Sequence, residues 1–188
     1  MAQRSPLPRA AAWAAVGRCV LTSIAMLVRR DVHLPKPNVG RRISFANGTT
    51  GRVYRETTVP RTPVEPCVLV VSFRLRAVRG RRGHALFRAE SILNMPLFVG
   101  FPGFVSKLWL AHDANGIYRG VYEWDGPGQA EHYARSLWRV LALVSEADSI
   151  DFRVLPGLHR DDVLADPAQV PSQSLEEASA WWRVVEAA

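Results

Sequence analysis

Cysteine and lysine are scarce in this sequence, and the common catalytic signatures are missing. The 188 residues include only two cysteines, Cys19 and Cys67, too few for a disulfide scaffold or a cysteine metal cluster. They are typical of free thiols in a reducing compartment, with one long-range bridge as the alternative. The sequence contains no serine triad, zinc-ligand cluster, Walker loop or dinucleotide fingerprint. We therefore expect neither a metal nor a cofactor.

Lysine provides two of the 24 basic residues, and arginine provides the rest. Arginine suits bidentate contacts with carboxylate or phosphate, but codon bias in a GC-rich genome produces the same composition. The net charge of +7 is concentrated towards the N-terminus, because residues 1–66 carry eleven basic and three acidic side chains. No aromatic residues alternate with the arginines at 77–83, and no binding motif accompanies them. We therefore expect no nucleic-acid partner.

The apolar segment at residues 10–28 resembles a signal peptide or a membrane anchor. Arg18 lies near its centre, and an ionised side chain there makes a full transmembrane span costly. A helix would place large side chains on one face, namely Trp13, Val16, Val20, Ile24 and Leu27. Such a face fits docking onto a membrane surface or a partner, and packing against its own domain is the alternative. We expect a cytoplasmic protein, with peripheral membrane contact through residues 10–28 as the alternative.

Two Asn-Gly pairs between apolar, β-branched segments predict two β-hairpins. The first pair separates strands expected at residues 43–46 and 49–54. The second separates strands expected at residues 104–110 and 117–124. Prolines at the end of the first region forbid a helix and indicate a boundary before Cys67.

The elements from Cys67 onwards follow the order β-α-β-β-α-β. This is the ferredoxin-like arrangement, an α+β fold with an antiparallel sheet and both helices on one face. The predicted elements lie at residues 68–76, 84–94, 104–110, 117–124, 129–145 and 150–155. We expect a helix-and-hairpin extension at 1–66, the ferredoxin-like domain at 67–158, and an acidic tail at 159–188. A capping box at 174–177 predicts a short helix in that tail.

The second hairpin is apolar on both of its faces. One face would pack on the two helices, and the other face then needs a second layer. The apolar stretch at 94–103 must also be buried, either at a subunit interface or as the lining of a cavity. Another copy of the same sheet is the most economical second layer, so we expect a homodimer.

Several motifs in this region resemble those of a known superfamily. They are the segments 100–104, 107–109 and 116–124, followed by a helix that contains Ala130 and Tyr133. Together they resemble the dimeric α/β-barrel superfamily over residues 68–157, and they are most similar to its small monooxygenases of the antibiotic-biosynthesis type. The superfamily also includes haem-binding enzymes, polyketide cyclases, isomerases and members without an established reaction.

The resemblance implies a ligand pocket between the sheet and the two helices of each subunit. Aromatic walls suit a flat aromatic or polyketide-type substrate, and ordinary core packing is the alternative. Arg74 or Arg119 would bind a substrate carboxylate or enolate, with salt bridges across the sheet as the alternative. The expected substrate-binding residues are Phe73, Arg74, Phe98, Phe101, Trp109, Arg119, Tyr122, Trp124 and Trp138.

A cofactor-free oxygenase needs a base that deprotonates a phenol-like substrate, whose anion then reacts with dioxygen. His84 and His132 are the candidate bases because histidine titrates near neutral pH, and an exposed or capping histidine is the alternative for each. Tyr133 points about 100° away from His132 on the helix and fits the apolar face better. We expect His84, His132 and Tyr133 to be catalytic. Nothing flanking either histidine favours haem ligation.

The leading hypothesis is a cofactor-independent monooxygenase-like enzyme that acts on an aromatic or polyketide-type small molecule. A non-catalytic protein that binds a small molecule or a partner, and docks through its N-terminal helix, is the alternative from another class. A polyketide cyclase or isomerase that uses the same pocket is the third reading.

Overall fold

The computed structural model describes residues 5–76, 78, 80–170 and 180–188. The fold is α+β, with helices packed on a single curled sheet. The helices are α1 (Arg9–Val28), α2 (Gly80–Glu90), α3 (Pro127–Val144) and α4 (Arg160–Ala165), and short 3-10 helices occupy Ser91–Leu97, Ala147–Ser149 and Pro167–Gln169. The strands are β1 (Arg42–Phe45), β2 (Thr50–Thr58), β3 (Pro66–Arg74), β4 (Phe104–Leu110), β5 (Ile117–Asp125), β6 (Asp151–Pro156) and β7 (Val184–Ala187).

The seven strands form one antiparallel sheet in the order β6-β3-β5-β4-β2-β1-β7. The longest pairing joins β3 to β5, from Pro66 opposite Asp125 to Arg74 opposite Ile117. Both predicted hairpins are present, as β1–β2 and as β4–β5. The N-terminal hairpin continues the main sheet, because β2 pairs with β4.

The first face of the sheet packs under α1, α3 and the 3-10 helix at Ser91–Leu97. Leu69, Trp109 and Trp124 belong to this core, together with the apolar stretch at 94–103 that had to be buried. Gly100 allows α1 to lie directly on that stretch. A Cβ at this position would collide with the carbonyl oxygen of Cys19, so only glycine fits without a shift of the helix.

Helix α1 contacts the domain through small side chains rather than through the predicted large ones. Its buried residues are Ala12, Ala15, Val16, Cys19 and Ser23. Ser23 explains why this side of α1 faces the domain. Its hydroxyl donates to the carbonyl of Pro96 at 2.9 Å and accepts from the amide of Gly100 at 2.9 Å. The alternative that the predicted apolar face of α1 packs on its own domain therefore fails for most of its members: only Val16 is buried, and Trp13 remains 49% exposed.

The second face of the sheet is covered by the C-terminal part of the same chain. Val68, Val70 and Val121 pack there in one cluster with Val163 of α4 and Trp182. This is the face predicted to meet a second copy of the sheet, so the structural reason for expecting a homodimer is removed. The curled end of the sheet also helps to cover the second face, because β7 pairs with β1 and Val184 of β7 belongs to the same cluster.

Two further predictions need correction. The helix predicted at 84–94 begins four residues earlier, at Gly80, so the basic segment at 77–83 forms in part the start of α2, because arginine is a good helix former. The end of the acidic tail forms strand β7, because β1 offers it an open edge. The short helix predicted from the capping box at 174–177 falls outside the described residues.

A buried ion pair fixes α4 on the second face. Nη2 of Arg160 lies 2.7 Å from Oε1 of Glu56 in β2, and both side chains are 4% exposed. The other carboxylate oxygen of Glu56 accepts a hydrogen bond of 2.9 Å from the amide of Asn38. Removal of one partner from such a pair leaves the other charge buried and unmatched.

We expect Arg160→Met to lower the free energy of unfolding by about 3–5 kcal/mol, because it leaves the Glu56 carboxylate buried without its cation. Urea denaturation followed by circular dichroism measures this loss. The double variant Glu56→Met/Arg160→Met has no unmatched charge and should lose less stability than Arg160→Met alone. A double variant whose loss equals the sum of the two single losses would show that the pair is not coupled.

Candidate functional site

A cavity of about 600 Å³ lies on the first face of the sheet. Strands β3, β4 and β5 form its floor, and α2, the 3-10 helix at Ser91–Leu97 and α3 form its walls. The side chains around it are mainly apolar and aromatic. The expected substrate-binding residues that line it are Phe73, Phe98, Trp109, Arg119 and Tyr122.

Tyr122 lies across the cavity floor because residue 120 is glycine. A Cβ at Gly120 would come within 2.5 Å of the Tyr122 ring, so a larger residue would displace the ring. The Tyr122 hydroxyl accepts a hydrogen bond of 3.1 Å from Tyr133. Burial raises the pKa of both tyrosines above their usual value of 10, so both hydroxyls stay protonated at neutral pH.

Lys107 is a lysine that lies among the aromatic side chains of this cavity. It lies in β4 opposite Tyr122 of β5, and its side chain lines the cavity. Its Nζ is 3.3 Å from the ring centre of Trp109, 4.5 Å from that of Phe98 and 4.9 Å from that of Tyr122. The indole nitrogen of Trp109 donates to the hydroxyl of Thr57 at 3.0 Å, which fixes the nearest ring.

The amine of Lys107 has no conventional partner within the described part of the chain. The residue is 8% exposed, and its Nζ has neither a hydrogen-bond acceptor nor a carboxylate there. Burial lowers the pKa of Lys107 well below its usual value of 10.5, and the neighbouring positive charge of Arg55 lowers it further. The amine is therefore poised to lose its proton far more readily than an exposed lysine.

His84 contacts the cavity only through another residue. Its Nδ1 is 2.8 Å from the hydroxyl of Tyr118, which lines the cavity, and its ring packs 3.8 Å from that of His112. Partial burial, followed by the charges of His112 and Arg88, lowers the pKa of His84. His84 thus lies at the rim rather than against the cavity space.

The three predicted catalytic residues are not brought together. His132 is exposed beside a second, smaller depression between α1 and α3, which Phe101 also lines. Tyr133 is fully buried behind Tyr122 and hydrogen-bonds only to it among the described residues. A ligand in the main cavity would reach Tyr122 and Lys107 before any of the three.

Arg74, Trp124 and Trp138 are engaged elsewhere, and so is the guanidinium of Arg119, although Arg119 also lines the cavity. Arg74 points towards solvent and pairs with Glu146 at 3.4 Å. Arg119 donates to the buried carboxylate of Asp113 at 2.8 Å, and its guanidinium lies 4.6 Å from the ring centre of Phe45 on the second face. The two tryptophans are packing residues: Trp124 contacts Phe104 and Tyr133, and Trp138 contacts Phe152.

Lys107 is the functional candidate that sequence reasoning missed. A signal for it was available, because lysine occurs twice in a chain of otherwise arginine-only basic residues. Its strand, Phe104–Leu110, is buried at every position, and a charged residue in such a strand is costly unless it is matched. A lone lysine inside an apolar strand is therefore a residue to examine first.

Metal and thiol chemistry find little support among the described residues. No group of three or more His, Cys, Asp and Glu side chains able to hold a metal ion occurs in that part of the chain. Both cysteines are free and buried. Burial raises the pKa of Cys19, and burial followed by the charges of Asp125 and Glu123 raises that of Cys67 to about 12. Neither thiol is an activated nucleophile.

We expect Lys107→Met to raise the free energy of unfolding at neutral pH by about 1–3 kcal/mol, because methionine fills the site without burying an unmatched amine. The unfolded wild-type chain binds a proton at Lys107 that the folded chain releases, so wild-type stability rises with pH up to the usual pKa of 10.5. The advantage of the variant is largest below the folded-state pKa and shrinks as pH approaches 10.5.

Denaturant unfolding at several pH values measures this difference, with Lys36→Met at the exposed lysine as the matched control. The control should follow the wild type at every pH. A Lys107→Met variant that is less stable than the wild type would show that the amine has a stabilising partner.

Comparison of the chain with protein-family models, curated proteins and solved structures finds no match. The geometry of the cavity and the chemistry of the side chains that line it are therefore the basis for proposing a function. The cavity's most unusual feature is the buried amine of Lys107, which is surrounded by aromatic rings and has no hydrogen-bond partner or carboxylate among the described residues.

Proposed function

We propose that this protein binds an aromatic or polyketide-type small molecule in the cavity and acts on it as a cofactor-independent monooxygenase. The observation that carries the proposal is the aromatic lining of a space of about 600 Å³, with Phe73, Phe98, Trp109 and Tyr122 around it. Such a space suits a flat, largely apolar ligand of two or three fused rings. A few polar groups at fixed positions would then orient it.

The chemistry proposed for the site requires little from the protein beyond positioning and deprotonation. The anion of a phenol or enol is electron-rich and reacts with dioxygen without a metal or flavin. The apolar walls of the cavity favour this reaction because they keep much of the bulk water away from the anion. The apolar walls also solubilise dioxygen, which is itself apolar.

The strand order supports the family resemblance behind this proposal. β3 and β4 are joined through α2 and lie on either side of β5, and β5 and β6 are joined through α3 and lie on either side of β3. Each crossover thus skips one strand, as the split β-α-β arrangement of ferredoxin-like folds requires. Because the second face is already covered, the proposal treats a single chain as the functional unit.

We expect the purified protein to consume dioxygen with at least one member of a panel of hydroxynaphthoquinones and naphthols. Leu141→Trp should abolish turnover and weaken binding roughly tenfold, because the larger ring occupies the cavity that Leu141 lines. An oxygen electrode and fluorescence titration measure the two effects.

The matched control is Leu21→Trp, the same substitution at a residue that is 70% exposed on α1. It should leave turnover and binding unchanged. Formation of a rearranged or ring-closed product without oxygen uptake would replace the monooxygenase proposal with the cyclase or isomerase alternative. Binding without any product would favour a non-catalytic small-molecule-binding protein.

A second candidate function, docking through α1, is favoured by what this helix leaves exposed. Trp13, Leu21, Ile24 and Val28 lie along one stripe of the helix and are 49%, 70%, 50% and 78% exposed. The helix is long and apolar enough to cross a membrane by length and composition alone. Exposed Arg9, Arg29 and Arg30 at its ends suit anionic lipid headgroups, as expected of an interfacial helix.

We expect the protein to bind vesicles that contain phosphatidylserine, more weakly as salt increases, and the triple variant Trp13→Ser/Leu21→Ser/Ile24→Ser to bind roughly tenfold more weakly. Vesicle co-sedimentation measures both effects. Val64→Ser, at an apolar residue 86% exposed outside α1, is the matched control. Equal binding of the triple variant and the wild type would exclude α1 as the docking surface.

A further inference from the structure

We propose that the amine of Lys107 accepts the proton of an acidic phenol or enol hydroxyl on the ligand and then holds the resulting anion. The inference rests on the proposed function in one respect, because it places the ligand in the same cavity. It goes further by naming the group that would perform the deprotonation and by restricting the ligand to molecules with an acidic hydroxyl. None of the residues predicted from the sequence has this role.

The geometry gives Lys107 a place that a ligand oxygen would complete. Its Nζ faces the rings of Trp109, Phe98 and Tyr122 and lines the open space of the cavity. Aromatic faces attract an ammonium ion, but they accept no strong hydrogen bond and donate none to the lone pair of the amine. The hydrogen-bonding capacity of Lys107 is therefore unused in the described structure. A hydroxyl in the cavity would satisfy it.

The distribution of charge favours an anion as the occupant. Arg55 is the charged neighbour that acts on Lys107, and it is hydrogen-bonded to Ser91 at 2.7 Å and to the carbonyl of Arg88 at 3.1 Å. Among the described residues that line the cavity, Glu90 is the one carboxylate, and it is exposed. Lys107 thus lines the cavity, with Arg55 close behind it, and no buried carboxylate is among the described lining residues.

The carboxylates that are buried near β2, β4 and β5 are already matched. Glu56 pairs with Arg160, and Asp113 pairs with Arg119. Neither carboxylate lies among the residues that line the cavity. Within the described ranges, no carboxylate would pair with an ammonium ion at Lys107 until a ligand supplies one, so the empty cavity favours the neutral amine.

The proposed step is a single proton transfer and balances without a further reactant. The O–H bond of the ligand breaks, its proton forms an N–H bond with the lone pair of Nζ, and the products are a phenolate or enolate and an ammonium ion. The two ions then form a charge-assisted hydrogen bond, for which donor–acceptor distances of about 2.7–2.9 Å are typical. The ring of Trp109 stabilises the new ammonium ion from the other side.

The other titratable groups that face the cavity are poor bases. Tyr54 and Tyr122 have a pKa raised by burial, so their hydroxyls remain protonated. Arg76 carries permanent positive charge and has no lone pair to offer. Glu90 is exposed, so water competes for its carboxylate. Lys107 is therefore the base that geometry and chemistry both favour.

The first experiment measures the state of the amine without any ligand. Reductive methylation with formaldehyde and cyanoborohydride is followed by peptide mass spectrometry over a range of pH. The chain contains two lysines, so the exposed Lys36 reports on the same sample as an internal reference. We expect modification of Lys107 to reach its plateau at a lower pH than that of Lys36. Identical pH profiles would overturn the inference.

The second experiment detects the proton transfer with 4-nitrophenol, whose anion has its own absorption band. At a pH below the pKa of the free phenol, the wild type should bind it with the spectrum of the phenolate. Lys107→Met should lose that band and bind the phenol roughly tenfold more weakly. The variant should bind 4-nitroanisole, which has no acidic proton, as the wild type does. Lys36→Met, the control, should behave as the wild type with both probes.

Calorimetry in two buffers of different ionisation enthalpy distinguishes a base from a permanent cation. Transfer of the proton from the phenol to Lys107 releases no proton to solution. Release of one proton would show that Lys107 was already an ammonium ion, which overturns its role as a base. Failure of the wild type to bind the phenol, or binding of the neutral phenol alone, would also overturn the inference. So would a carbonyl ligand trapped on Lys107 by borohydride, because it would indicate imine formation.

These outcomes are separable from those of the proposed oxygenase activity. Loss of the phenolate band in Lys107→Met without oxygen uptake by the wild type on any substrate would reject the oxygenase activity and retain this inference. Oxygen uptake that is unchanged in Lys107→Met would retain the activity and reject the inference.

Discussion

A sheet that is apolar on both faces must be covered on both sides, and the rest of this structure depends on how one chain meets that requirement. Helices α1 and α3 cover the first face, and α4 with the C-terminal strand covers the second. The segments that precede and follow the β-α-β-β-α-β unit supply the missing cover. Helix α1 precedes the unit and packs on the first face, and α4 follows it and packs on the second. A solitary central unit would expose valines of β3 and β5 to water.

The buried charged residues have different partners on the two faces of the sheet, and this difference is the reason for placing the proposed site on the first face. On the second face, Glu56 meets Arg160 and Asp113 meets Arg119, each at hydrogen-bonding distance and largely shielded from solvent. On the first face, Lys107 meets only aromatic rings among the described residues. In a buried ion pair, each charge is compensated by its partner. A buried amine without a partner can be compensated only by a ligand that enters the cavity. We therefore place the proposed site on the first face.

Elements that depend on neighbouring residues in the sequence were predictable. Contacts that depend on segments far apart in the sequence were not. Asn47-Gly48 and Asn115-Gly116 set both hairpins, since a tight turn depends on those two residues. The side of α1 that faces the domain was not predictable from its hydrophobic pattern. The backbone of α1 lies directly against Gly100, which is far along the chain. Such a short distance between the two segments requires small side chains on this side of α1, such as Ala15. The cavity depends on the same kind of distant packing, so four of the seven predicted aromatic residues line it, and its amine was not predicted.

We expect the buried amine of Lys107 to weaken the fold that contains it, and this is the strongest reason to propose a function for it. Methionine would fill the same volume with no charge to desolvate, and β4 is otherwise built from side chains that suit its burial. Local rules of sequence and structure agree along this strand at every other position except Ser106, whose hydroxyl is buried without a partner in the described structure. Departures of this kind concentrate at functional sites, where a destabilising group is kept for what it does. Ser106 lies beside a bulge in β4 and faces away from the cavity, so Lys107 alone combines the departure with access to a ligand.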